Sequence, residues 1–91
     1  MEISFDPAKN AANIAKHGLP FQIAGALDWS TALVVADLRH EYPESRYTAI
    51  GLIAKRAHVV VFTPTSLGIR VISFRKANPR EVQRYEEARR A

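Results

Sequence analysis

The sequence predicts an α+β fold in which two N-terminal helices and a C-terminal helix pack on a mostly antiparallel sheet of four to five strands. Three observations predict it: helix start and stop residues bracket segments near both ends, β-rich segments fill the middle, and the connections between the later β segments are too short to hold a helix. A length of 91 residues, 47% of them hydrophobic, suits one domain spanning 1–91 and leaves no room for a second.

Met1 to Phe5 alternates enough for a short strand. Asp6-Pro7 then gives an N-cap side chain followed by proline at the first helical position. The first helix runs to Lys16-His17 and stops at Gly18, which takes the left-handed C-terminal geometry without strain. Leu19-Pro20 forces a break. A second, shorter helix from about Phe21 to Leu27 uses Phe21, Ile23, Ala24 and Leu27 as its apolar side. Four β segments follow, Ala32 to Ala36, Tyr47 to Ile53, His58 to Thr63 and Ile69 to Phe74. Ala54–Ala57 and Pro64–Gly68 read as hairpin connections, so the last three strands form an antiparallel meander. Asn78-Pro79-Arg80-Glu81 combines an asparagine cap, a proline and a glutamate three residues after the cap, and opens a final helix to Arg90. Only Val82, Tyr85 and Ala88 are credible core contacts there, so this helix should dock weakly.

Composition excludes several function classes. There is no cysteine, which removes disulfides, thiolate catalysis and cysteine-based zinc sites and fits a reducing cytoplasm. No apolar run reaches the length of a membrane span, and the N-terminus lacks the blocks of a signal peptide. Three scattered histidines show no ligand spacing, so no metal site and no cofactor are expected. Net charge is +4, with 13 basic and 9 acidic residues. Residues 69–91 hold seven of the basic residues against Glu81, Glu86 and Glu87, so the excess lies in the last quarter and favours a polyanion as target. A solvated, charged terminal helix would give the same count.

Phe5-Asp6-Pro7-Ala8-Lys9, Asn13, Lys16-His17-Gly18 and Phe21 resemble the opening motif of the BrnT toxins of bacterial toxin–antitoxin systems. Arg46 with Ala49-Ile50-Gly51, the strand Val59–Thr63, and Ile69–Ala77 with Arg80-Glu81 are similar to that family's later blocks, in the same order. The resemblance covers nearly the whole chain. It implies a RelE-like toxin fold and ribonuclease activity against messenger RNA, neutralised by a ribbon-helix-helix antitoxin that binds operator DNA, in a hetero-oligomer.

RNA cleavage without a metal needs a group to take the 2′-hydroxyl proton, cations on the phosphorane, and a donor for the leaving 5′-oxygen. Arginine suits the phosphorane because its planar fork donates paired hydrogen bonds and stays charged. Arg75, Arg46 and Arg80 are the arginines in the resembling blocks. Strand alternation puts Ile69, Val71, Ser73 and Arg75 on one face and Arg70, Ile72 and Phe74 on the other, which separates Arg70 from Arg75. Arg75 with Ser73 beside it is preferred; the alternative is an arginine that pairs with Glu81. His17 is the natural proton-transfer candidate, although Lys16-His17 equally suits capping the helix C-terminus. Glu81 and Tyr85 share a helix face and would supply a base and a phenol, but the capping box and the core account for them more simply. Lys16, Lys76, Ser73 and Arg70 are assigned to RNA binding. His40 and His58 are expected at the surface, and Trp29 in the core.

Overall fold

The computed structural model describes residues 1–90; Ala91, the last residue of the expected domain, lies outside them. In chain order the elements are β1 (Glu2–Ser4), α1 (Pro7–His17), a 3-10 helix (Phe21–Ala26), β2 (Leu33–Ala36), β3 (Tyr47–Ile53), β4 (Arg56–Pro64), β5 (Gly68–Lys76) and α2 (Pro79–Arg90). The five strands form one sheet ordered β1-β5-β4-β3-β2. Strands β2 to β5 form an antiparallel meander, and β1 joins β5 in parallel, which α1 and the 3-10 helix permit by carrying the chain away from that edge. The α+β class and the boundaries of both α-helices are those predicted.

Helix α1 starts where Asp6 accepts a hydrogen bond from the Ala8 N–H, and it ends at Gly18 with φ of 71°. The segment after Pro20 is a 3-10 helix rather than an α-helix. Its buried residues, Phe21, Ala24 and Leu27, recur every three positions, and Ile23, predicted to lie inward, is 42% exposed. The β3–β4 connection is also tighter than predicted. Only Ala54 and Lys55 form it, with φ of 48° and 69°. Both values match a two-residue hairpin turn that normally uses Asn-Gly, and an Ala-Lys pair carries no such signal.

Each face of the sheet carries its own core. On one, Phe21, Ala24 and Leu27 pack against Ala49, Val60, Phe62, Ile69, Val71 and Phe74, with Trp29 edge-on to Phe62 and donating from Nε1 to the Ala24 carbonyl. On the other, α2 lays Tyr85 and Val82 over Ile50, Leu52, Ala57 and Val59. Ala88, the third contact predicted for α2, is exposed. Because α2 is a short helix with one buried residue, it covers only part of its face and leaves the remainder, toward β5 and the ends of β2 and β3, open.

Strand β5 departs from regular pairing in two places. Beyond the end of β1 its edge is closed by a side chain: Asn13 Nδ2 donates to the Phe74 and Leu19 carbonyls at 2.8 and 2.9 Å, and its Oδ1 accepts from the Phe74 N–H at 3.2 Å. The amide thus stands in for a neighbouring strand. In the middle of β5, Val61 pairs with Ser73 while Phe62 pairs with Val71, so Ile72 is an extra residue in a β-bulge. The bulge overturns the predicted alternation. Ile69, Val71 and Phe74 all point into the first core, and Arg70, Ser73 and Arg75 all emerge on the α2 side.

Candidate active site

The open part of the α2 face holds a cavity of about 250 Å3. Its floor is sheet, with Val35, Thr48, Val59 and Val61, and its rim is charged, with Arg75 from β5, Glu81 and Arg84 from α2, and Asp37 and Arg39 from the start of the β2–β3 loop. Arg75 and Glu81 form a paired bridge in which Nη1 and Nη2 donate to Oε1 and Oε2 at 2.7 and 2.8 Å. Glu81 closes the capping box as well, accepting from the Asn78 N–H at 2.9 Å while the Asn78 side chain accepts from the Glu81 N–H. One carboxylate therefore ties the start of α2 to β5 and sets the direction of the Arg75 fork. Hydrogen bonding to Arg75 raises the guanidinium and lowers the Glu81 carboxyl relative to their ordinary values, so the pair is charged at neutral pH.

A guanidinium has five N–H donors, and Glu81 uses two. A third lies 3.4 Å from the Lys76 carbonyl, which leaves two for a ligand in the cavity. Across the cavity, Arg39 Nε and Nη2 donate to Asp37 Oδ1 and Oδ2, both at 2.9 Å, and the Tyr42 hydroxyl donates to the same carboxylate at 3.3 Å. Asp37 is buried, and these bonds hold its carboxyl down at about 2, the Arg39 hydrogen bonds first among the causes. A carboxyl lowered on folding stabilises the fold above its unfolded value of 3.8 and loses that contribution as pH falls toward 2. Asp37→Asn should thus be less stable than wild type at pH 7, with a gap that narrows across that window. Denaturant midpoints at pH 7, 4 and 3 check this; a gap independent of pH would exclude it.

Two carboxylates in the cavity are thus anionic and engaged by arginines, and the free capacity of the site lies in guanidinium donors. Arg84 adds a third cation without an ion-pair partner among the described residues. Such an array suits a phosphate and the extra negative charge of its five-coordinate state. Among the described residues, no group of three or more histidine, aspartate or glutamate side chains could hold a metal ion.

The residues singled out from the sequence fall in several places. Arg75, Glu81 and Ser73 lie on the α2 side together, and the bulge adds Arg70 to them. Arg46 and Arg70 share a separate cleft with Lys9, farther along the sheet. Arg80 is exposed on the first turn of α2, outside the cavity lining. Lys76 pairs in register with His58 and turns to the opposite face from Arg75. Lys16 and His17 end α1, and the next residues, Leu19 and Phe21, enter the core under Phe74, so the structure does not bring His17 to Arg75. His58 is buried rather than at the surface, with Nδ1 2.7 Å from the Arg56 carbonyl and its ring against Phe74. Arg39, Asp37 and Arg84 carried no recognised motif. For Arg84 a signal existed, since it lies three residues after Glu81 on the same helix face; Arg39 and Asp37 sit in a loop without periodicity.

No curated protein matches the chain by sequence. Residues 5–81 match the family model of the ribonuclease toxin BrnT of type II toxin–antitoxin systems, a span that holds both the Asn13 clamp and the Arg75–Glu81 pair. The chain therefore belongs to the BrnT family of ribonuclease toxins.

Proposed function

We propose that residues 1–91 act as one toxin domain that cuts messenger RNA without a metal ion, arrests growth, and is silenced by a ribbon-helix-helix antitoxin that carries the complex to operator DNA. The observation that carries the cutting is the Arg75 fork, fixed by Glu81 and facing a cavity rimmed by further arginines. In the reaction the 2′-oxygen attacks phosphorus, the bond to the 5′-oxygen breaks, and the 2′-proton leaves as the 5′-oxygen gains one. The product ends are a 2′,3′-cyclic phosphate and a 5′-hydroxyl. Arg75 stabilises the phosphorane, and Glu81 acts as a positioning residue through it. Arg80 and His17 are carried as further catalytic residues, with Lys16, Lys76 and Ser73 on the RNA path. A protein partner is supported by the free edge of the sheet, where Val34, Val35 and Leu38 are exposed around β2.

Incubating the purified protein with a defined RNA in excess chelator, then mapping cut positions and end chemistry, tests this reading. Discrete cuts with a cyclic phosphate on one side and a 5′-hydroxyl on the other are expected. Intact RNA at high protein concentration overturns it, and if binding persists in that case the fold serves as an RNA clamp instead.

A further inference from the structure

The bulge in β5 does more than bring Arg70 to the face of Arg75. At about 3.3 Å per residue, the five positions between them span roughly 13 to 16 Å once the bulge is allowed for. One phosphate cannot reach both. Arg70 instead lines its own cleft of about 380 Å3, with Lys9 from the first turn of α1 and Arg46 from the end of the β2–β3 loop. Thr63 and Ile72 complete the floor, and Glu44 is the only acidic residue in the lining.

The three cations differ in how they are held. Arg46 is fixed in place, with its guanidinium carbon 4.1 Å from the Tyr42 ring centroid and Nε donating to Glu44 Oε1 at 3.3 Å. Its two terminal nitrogens make no hydrogen bond or ion pair within the protein among the described residues. Lys9 and Arg70 are exposed, and neither has an ion-pair partner among the described residues. Three cations from three separate elements meet in one cleft, with a single carboxylate already engaged. Nothing in the packing of the fold uses Lys9 or Arg70.

We infer that Lys9, Arg46 and Arg70 form a second phosphate-binding subsite, which holds an RNA backbone phosphate flanking the one at Arg75. The inference rests on the ribonuclease reading and deepens it: the substrate is a single strand long enough to bridge both clusters, and Arg46 binds that flank rather than the scissile group. A rigid Arg46 sets the position of the flanking phosphate, and the two mobile side chains add charge. Two phosphates held on one face fix the register of the strand across the cavity between them.

The test compares wild type, Lys9→Ala, Arg70→Ala and the double variant on a long oligonucleotide containing a mapped cut and on truncations from either end down to a minimal fragment. Both substitutions lie on the exposed surface, so the fold is expected to persist. The wild type should prefer the longer substrates through KM. The double variant should lose that preference while keeping its kcat on the minimal fragment, and truncation from one end should reproduce the loss. The salt dependence of RNA binding should flatten too, its log–log slope falling by about 0.7 to 1.4 for one to two lost phosphate contacts on a single strand. Cutting of long RNA by the double variant at wild-type KM and with an unchanged slope overturns the subsite and leaves the ribonuclease reading intact. If the wild type cuts nothing, the ribonuclease reading falls, and the salt slope of RNA binding alone decides the subsite: an unchanged slope in the double variant refutes it, a flattened one upholds it. Arg46→Lys, which keeps the charge and loses the stacked fork, should retain cutting of the minimal fragment with a raised KM on long RNA.

Discussion

Arg75→Ala is expected to lower the rate of RNA cutting by about 10²- to 10³-fold, the range seen when one fixed donor to a developing oxyanion is removed. The loss should fall on kcat, because the donors left free by Glu81 matter most when charge builds up on the phosphorane. Stability should change little. The Arg75 side chain is 35% exposed on the uncovered part of the sheet, and Glu81 keeps its bond from the Asn78 N–H when the arginine is gone. Arg75→Lys restores the charge without the fork and should recover only part of the rate. Glu81→Gln separates positioning from proton transfer, since it keeps an acceptor for the Asn78 N–H but loosens the guanidinium. A smaller loss than that of Arg75→Ala, with the pH profile unmoved, is the expected result. Single-turnover kinetics on a labelled RNA, with thermal melts of each variant, provide both readouts. Undiminished cutting by Arg75→Ala would exclude the proposed role.

Asn13→Leu is expected to bring the fold close to unfolding. One buried amide satisfies the Phe74 N–H, the Phe74 carbonyl and the Leu19 carbonyl. A leucine fills similar space and satisfies none of them. An orphaned buried polar group costs about 1 to 3 kcal/mol, so a loss of about 3 to 5 kcal/mol follows for the three together. A chain of this length has a total stability of about 5 to 14 kcal/mol. The melting temperature should fall by roughly 15 to 30 °C, and Asn13→Asp should also destabilise, because a carboxylate cannot donate to the Phe74 carbonyl. A drop of only a few degrees for Asn13→Leu would show that the β5 edge finds other partners. Asn13 belongs to the opening motif by which the chain resembles its family, and its role is structural: it seals a strand edge that β1 is too short to cover.

Element order, most helix boundaries and the family are legible in the sequence because they rest on local chemistry. Asp6-Pro7 and Gly18 bound α1, Asn78 and Glu81 open α2, and β-branched runs mark β4 and β5. Arg75 and Glu81 are legible too, and the structure joins them. Which side chains share a face is not legible in this way. A single extra residue at Ile72 reversed the alternation on which the separation of Arg70 from Arg75 depended, and no local pattern announces a bulge, because it is fixed by pairing between β4 and β5. The same holds for Arg39 and Asp37, brought to the cavity by a loop without periodicity, for His17, carried away from it by the packing of Leu19 and Phe21, and for Lys9, whose neighbours Arg46 and Arg70 lie far along the chain. Local propensity fixes where elements begin and end; the register between strands distant in sequence determines what faces the ligand.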